Sequence, residues 1–586
     1  MKLFKYGLPL AALAVLASCS NDNIDAPVGG QTPEVGDGSM YMTVNISLPN
    51  GAGSRADDDS FQGYDEGLES EYAVKKVQLY LFKATVNETD PEENATFYDR
   101  ITLGFSDLDT DEGGSDVTGT FKATFQIKGI ELNDDKKLVE NGTVYDLYGL
   151  LVVNGEDANF PDLVEGSTKF NAWNKEVMKG LESGNVGQDY TKFMINNNGF
   201  VMTNAPKYSD SKATVLEFVD TETFAQSPQQ AEANNPAATF FVQRGVAKVY
   251  LTTNDPNFKN MDVYVNDEDK KANDYVQVDN WALDVTNQLT FPVQNVVLTS
   301  SGTGKAYEAW SSKNYFFAKD NGQDLEDHIW WAVDPNYYNE TSESDNFKFT
   351  TMVSTQNHDW TNALTPDYNV SKPQEGTYAY CLENTMDASQ QIQNQTTRVV
   401  FKCKYKVNNV NWDNEDNAGF IVFNDVAVVV KKDDLLDSEN VPAAGTIELD
   451  KLINEDEVGN YKSNLVMGSA SDEVTWYPGG VTYYVSYIRH FNDNEAKLPS
   501  SVDTSSKDFN ANSLSSWGVD QLGRYGVLRN NVYAMNVVGF FGYGSPTVPD
   551  PDPDTPDDKT PEKQYNAIVT VNVLNWAKRV HDYIPR

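Results

Sequence analysis

Cysteine is scarce: the chain has three in 586 residues. Cys19 lies in the opening segment, which leaves Cys381 and Cys403. Those two could pair across adjacent strands or remain two buried thiols; in neither case does the fold depend on a disulfide framework. Histidine is nearly as rare. His328, His358, His490 and His581 are the four, and no two have metal-ligand spacing. Asp107, Asp109 and Asp111 resemble the start of a calcium loop, but Gly113 comes one place late and no glutamate closes it, so a solvated acidic loop is expected. The chain also has no Gly-x-Ser-x-Gly, no Walker loop and no dinucleotide fingerprint. Acidic pairs are common, but nothing singles out a glycosidase pair. The expectation is a protein with no catalytic residue, no metal and no cofactor.

Basic charge is short as well. Lysine and arginine number 45 against 87 acidic residues, a net charge of −42. Such a surface is repelled by nucleic acid and by anionic lipid head groups. It also opposes self-association, so any polymer needs a strong specific joint. Hydrophobic content of 39% and aromatic content of 12% are nevertheless enough for real cores. The length suggests two to four domains.

The apolar run Leu8 to Leu16 is too short to span a membrane. It follows Lys2 and Lys5 and ends at Leu16-Ala17-Ser18-Cys19. A charged start, an apolar centre and small residues before the cut describe a secretory signal over 1–18. The placement of Cys19 is similar to the bacterial lipoprotein signal, in which that cysteine is lipidated and becomes the first residue. Residues 21–38 are rich in Gly, Pro, Asn and Asp and read as a tether.

Met40 to Leu48 alternates strictly, with Met42, Val44, Ile46 and Leu48 apolar. That period of two predicts a half-buried strand. A loop of small and acidic residues follows. It contains Arg55, the only basic residue between the signal and Lys75. Two readings stand. The strand is an ordinary first strand followed by a surface loop, or it fills a groove temporarily and is cut off after Arg55, before Ala56.

Strands are then expected at Val74 to Ala84, Ile101 to Phe105, Phe121 to Ile130, Val144 to Val153, Phe200 to Asn204, Phe240 to Val242, Val246 to Tyr250 and Trp281 to Gln288. Helical spacing is expected at Phe170 to Leu181. The second half predicts strands at Thr397 to Val407, Gly419 to Lys431, Val481 to Ile488 and Val532 to Phe541. Long helical patterns are rare. The fold class is all-β, two β-sandwiches with few short helices. Residues 19–55 form the removable segment, 56–290 the first domain and 291–548 the second. Residues 549–564 form a stiff Pro/Asp spacer. Residues 565–586 form a tail carrying an isolated strand, Asn566 to Trp576, with Val569, Val571 and Val573 on one face and Leu574 on the other. Apolar edge strands are normally suppressed; two of them placed like this suit donation to a neighbour, and the alternative for the second is a last strand of the second sandwich, reached by a long loop.

Several segments together carry a family resemblance. They are Leu16-Ala17-Ser18-Cys19, Arg55 after the first strand, Arg244-Gly245-Val246-Ala247-Lys248-Val249, Tyr380-Cys381-Leu382-Glu383-Asn384-Thr385, Tyr483-Tyr484 with Ile488-Arg489-His490, and Tyr525-Gly526-Val527-Leu528-Arg529-Asn530-Asn531-Val532-Tyr533. With these the chain resembles the major and minor fimbrial subunits of anaerobic Gram-negative bacteria, the type V pilins built from lipoprotein precursors. The resemblance implies two transthyretin-like β-sandwich domains and a precursor lipidated at Cys19 in the outer membrane. It implies a cut after Arg55 by an arginine-specific protease. The groove emptied of Met42, Val44, Ile46 and Leu48 would then take the C-terminal strand of the next subunit, with Val569, Val571, Val573 and Leu574. Its partners would be identical subunits, accessory anchor and tip subunits, and a host or bacterial surface receptor. The spacer plus strand argues for a shaft subunit over a tip adhesin. The rival reading is a monomeric outer-membrane lipoprotein that binds surface glycans through Trp330, Trp331, Tyr337 and Tyr338.

Overall fold

The computed structural model describes residues 39–48, 64–65, 71, 73–104, 120–156, 158, 160–179, 194–196, 199–209, 212–252, 260–265, 269–295, 319–320, 323–324, 332–337, 347–348, 361–362, 378–386, 391–410, 418–439, 441–465, 469–490, 525–551 and 566–576. Cys19, Arg55, Ala56, the acidic loop at Asp107, Trp330, Trp331, Tyr338 and the tail beyond Trp576 lie outside them.

The fold is all-β. The first sheet uses β1 (Met40–Ser47), β3 (Lys76–Thr85), β4 (Thr96–Gly104), β5 (Thr120–Ile127), β6 (Leu138–Glu140), β7 (Thr143–Val153), β9 (Met202–Asn204), β10 (Glu217–Val219) and β11 (Thr239–Arg244). Its order is β4-β3-β7-β9-β11-β1-β5, with β6 and β10 on β7. The apolar positions of β1, β3, β5, β7 and β11 share one core. On β7, Gly149 leaves room for a ring: a Cβ there would stand 2.5 Å from Phe240.

The second sheet contains β2 (Tyr64–Asp65), β12 (Val246–Thr252), β13 (Met261–Tyr264), β14 (Lys270–Asp284), β16 (Tyr378–Leu382), β17 (Arg398–Lys406), β22 (Val481–Tyr487), β23 (Asn531–Phe541) and β24 (Ala567–Trp576). It runs β2-β24-β23-β13-β14-β17-β22, with β12 between β23 and β16. The chain therefore passes from the first sheet to the second at Gly245, and the boundary expected near 290 is too late. Phe291-Pro292 looked like a linker, but β12, β13 and β14 hydrogen-bond to the second sheet. Every residue of β12 is buried. Val246 and Tyr250 face the first core, while Ala247, Val249 and Leu251 face the second. A strand buried on both faces carries no polar alternation, which is how its sequence reads.

A third, smaller sheet was not expected. Strands β18 (Ala418–Phe423), β19 (Val426–Lys431), β20 (Gly445–Glu448) and β21 (Glu473–Pro478) pair in the order β19-β18-β21-β20. They share a separate core with the helices at Leu449–Leu452 and Glu455–Leu465. The segment expected as one strand, Gly419 to Lys431, is a hairpin. Asn424 and Asp425 both hold positive φ, 49° and 61°, the geometry of a type I′ turn. The helix expected over Phe170 to Leu181 stops at Asn174, because Met178 and Lys179 form β8, which pairs with β15 (Leu289–Thr290). Cys381 and Cys403 are two buried free thiols, and burial lifts the Cys381 thiol to about 12.

Candidate functional site: the first and last strands

Strand β1 is an inner strand. It pairs antiparallel with β5 along its whole length, from Met40 opposite Ile127 to Ser47 opposite Thr120. On its other edge it runs parallel to β11, with Asn45, Ile46 and Ser47 opposite Thr239, Phe240 and Phe241. Ahead of that ladder, Tyr41 and Ala225 exchange two backbone bonds of 2.8 and 2.9 Å, and the Ala237 amide donates to the Thr43 carbonyl at 2.7 Å. Met42, Val44 and Ile46 have no exposed surface, and Leu48 is 9% exposed. The other face is polar and read by polar neighbours. The Thr43 and Thr124 hydroxyls lie 3.1 Å apart, and Asn45 Nδ2 donates to Thr239 Oγ1 at 3.4 Å. Removal of β1 would open a slot with hydrogen-bonding strand edges on both sides and an apolar floor. Refilling the floor with three or four side chains at ~1.5–3 kcal/mol each is worth on the order of 5–10 kcal/mol before ordering costs.

Of the two readings of the last strand, isolated or seated in the second sandwich, this structure seats it in the second sheet. Strand β24 pairs antiparallel with β23, placing Val569, Val571, Val573 and Leu574 opposite Val537, Met535, Tyr533 and Val532. Val537, Met535 and Tyr533 belong to the second core, so a period-two apolar face has a seat at home. It is an edge seat. Among the described residues the far side of β24 is met only near its ends, by Val485 at Asn566 and by β2 at Asn575 and Trp576. The root of the spacer is fixed too, since Arg398 donates to the Pro549 carbonyl while its guanidinium pairs with Asp284 at 2.7 Å.

Three of the motifs that carried the family resemblance, those around Arg244, Tyr380 and Arg529, come together away from β1. They meet in a buried polar network between the two sheets. Lys248 Nζ stands 3.0 Å from Glu71 Oε1, both side chains without exposed surface. Arg244 Nε donates to the Glu71 carbonyl at 2.7 Å, and the Tyr380 hydroxyl donates to the Glu71 carboxylate. Burial first, and then the Glu71 charge, push the Tyr380 phenol up. Nearby, Glu383 pairs with Arg529 at 3.4 Å and accepts from Gln294 at 2.7 Å. Burial raises the Glu383 carboxyl against the pull of Arg529. Sequence reading missed Glu71; a lone glutamate in an acidic stretch carries no signal. His490 is also structural: its Nδ1 lies 2.8 Å from the Tyr533 hydroxyl. Tyr337, a sugar-stacking ring only in the rival reading, spends its hydroxyl on Asn384 and Gln395, both at 2.7 Å, and its ring packs edge-on to Phe347.

Residues 475–582, which take in β22, β23 and β24, match the family described as "Major fimbrial subunit protein type IV, Fimbrillin, C-terminal". This end of the chain is fimbrillin-like. No curated protein sequence matches the chain. Among solved structures, a fimbrilin from Porphyromonas gingivalis is 12% identical over 92% of this chain and 99% of its own, with a TM-score of 0.34. The tip fimbrial protein Mfa3 from the same organism, with a C-terminal truncation, is 10% identical over 92% and 100%, TM-score 0.30. A fimbrial assembly protein from Parabacteroides distasonis is 11% identical over 62% and 81%, TM-score 0.25. The fimbrillin-like region holds both the last strand and the strand that seats it.

Proposed function

We propose that the chain is the shaft subunit of a surface fimbrium. The precursor is lipidated at Cys19 and anchored in the outer membrane. An arginine-specific protease cuts between Arg55 and Ala56, β1 leaves with the lipid, and the β24 strand of an identical subunit fills the slot. Anchor and tip subunits complete the fibre, which serves adhesion to a host or bacterial surface. The observation that supports this most is the position of β1. The first strand among the described residues is an inner strand, paired on both edges, and the segment after it carries the sole arginine of that stretch. Fully extended, residues 549–566 reach about 60 Å at ~3.3 Å per residue, farther than the roughly 40 Å across a domain of about 200 residues. A strand that leaves its home edge can therefore span to a neighbour.

Arg55→Ala tests the cut. The expected outcome is a lipid-bearing monomer at the cell surface, with wild-type mature protein beginning at Ala56 by N-terminal sequencing. Normal fibres from the variant would overturn the cleavage step.

A further inference from the structure

The two end strands carry the same short message. The first reads Met42-Thr43-Val44-Asn45-Ile46, and the last reads Val569-Thr570-Val571-Asn572-Val573. Threonine, valine and asparagine recur in the same order and direction, flanked by apolar residues. In the slot each part of this pattern has a physical reader. The outer positions and Val44 are buried in the core. Thr43 meets Thr124, and Asn45 donates to Thr239.

We propose that, within the strand-exchange reading above, the last strand enters another copy in one fixed register. Val569 takes the place of Met42, Thr570 that of Thr43, Val571 that of Val44, Asn572 that of Asn45 and Val573 that of Ile46. The entering strand runs parallel to β11 and antiparallel to β5, as β1 does. Thr570 and Asn572 set this register. A slip by one residue would turn the valines to the polar face. A slip by two would not, because Val569, Val571 and Val573 are interchangeable on the apolar side. It would instead bring Asn572 and Leu574, or Ile568 and Thr570, to the places of Thr43 and Asn45, and in the first case would carry Asn575 into the buried place of Ile46. Thr124 and Thr239 are therefore the positions on the accepting copy that read the donor, and the partner they select is a second copy of this chain.

Cysteine pairs test the register in assembled fibres. Thr124→Cys combined with Thr570→Cys is expected to give copy-to-copy disulfides on mild oxidation. Thr124→Cys with Ile568→Cys, or with Asn572→Cys, is expected to give none. Links at either of the latter pairs in place of the first would overturn the register while leaving strand exchange standing. Fibres with β1 still seated would instead overturn the exchange itself. Because cysteine variants can assemble poorly, a synthetic peptide of residues 566–576 provides a second readout on the full chain cut after Arg55. Thr570→Val together with Asn572→Val in the peptide is expected to weaken binding about ten-fold, the scale of losing polar contacts in a buried slot. Equal binding by the two peptides would overturn the role of those residues.

Discussion

His490 is a charge the fold refuses. Burial pushes its imidazole down to about 3, and the Tyr533 hydroxyl, which accepts from the Leu528 amide at 2.7 Å, is left to donate its proton to His490 Nδ1. The folded value lies below the ordinary 6.5, so the unfolded chain binds the extra proton. Stability is thus full above pH 6.5 and declines as the pH falls toward 3, by at most ~1.4 kcal/mol per pH unit. His490→Gln is expected to flatten that slope in denaturant titrations between pH 4 and 7. At the other junction, Glu71→Gln leaves Lys248 charged and buried without its carboxylate. Its expected cost is on the order of 3–5 kcal/mol, and Glu71→Gln with Lys248→Met should cost less than Glu71→Gln alone. Thermal melts of the three chains decide it.

At the scale of strands, home pairing of β24 changes what a truncation does. Deleting 566–586 uncovers the edge of β23 at Tyr533, Met535 and Val537, all at most 1% exposed with β24 in place. The truncated chain is expected to fold and be cut, to stay monomeric by light scattering, and to melt several degrees lower. Polymers from it would place the donor elsewhere. Most strands could be read from alternation alone, β1, β3, β7, β17 and β23 among them. What could not be read depended on partners far away in the chain. The helix from Phe170 gave way to the pairing of Met178 and Lys179 with Leu289 and Thr290. Val458, Tyr461 and Leu465 bury one face of the Glu455–Leu465 helix, but three apolar residues in a charged stretch are a faint signal. The boundary at Gly245 was hidden because β12 looks the same from both sides. The end strands were legible as strands, and their shared Thr-Val-Asn pattern was present in the sequence all along; only the slot contacts of Thr43 and Asn45 give it meaning.

For the whole molecule, charge sets the terms of assembly. The full chain's net charge of −42, nearly all of it beyond residue 55, gives every approach of two copies a long-range barrier, screened to within ~8 Å at physiological ionic strength and far less at low salt. Assembly of cut subunits, followed by scattering, is expected to accelerate as salt rises from 10 to about 150 mM. A slower reaction at higher salt would mean that an ionic contact, not an apolar slot, drives the joint. In the fibre proposed above, which must withstand being pulled, β12 matters. It runs alongside both β23, which seats the outgoing end of the chain, and β16, and it continues from β11, which borders the slot for the incoming end. Tension entering at one joint would pass along a single buried ribbon to the other. It would load the ladders lengthwise, so that many bonds must break at once, and the two halves of a subunit would stretch as one body before either gave way.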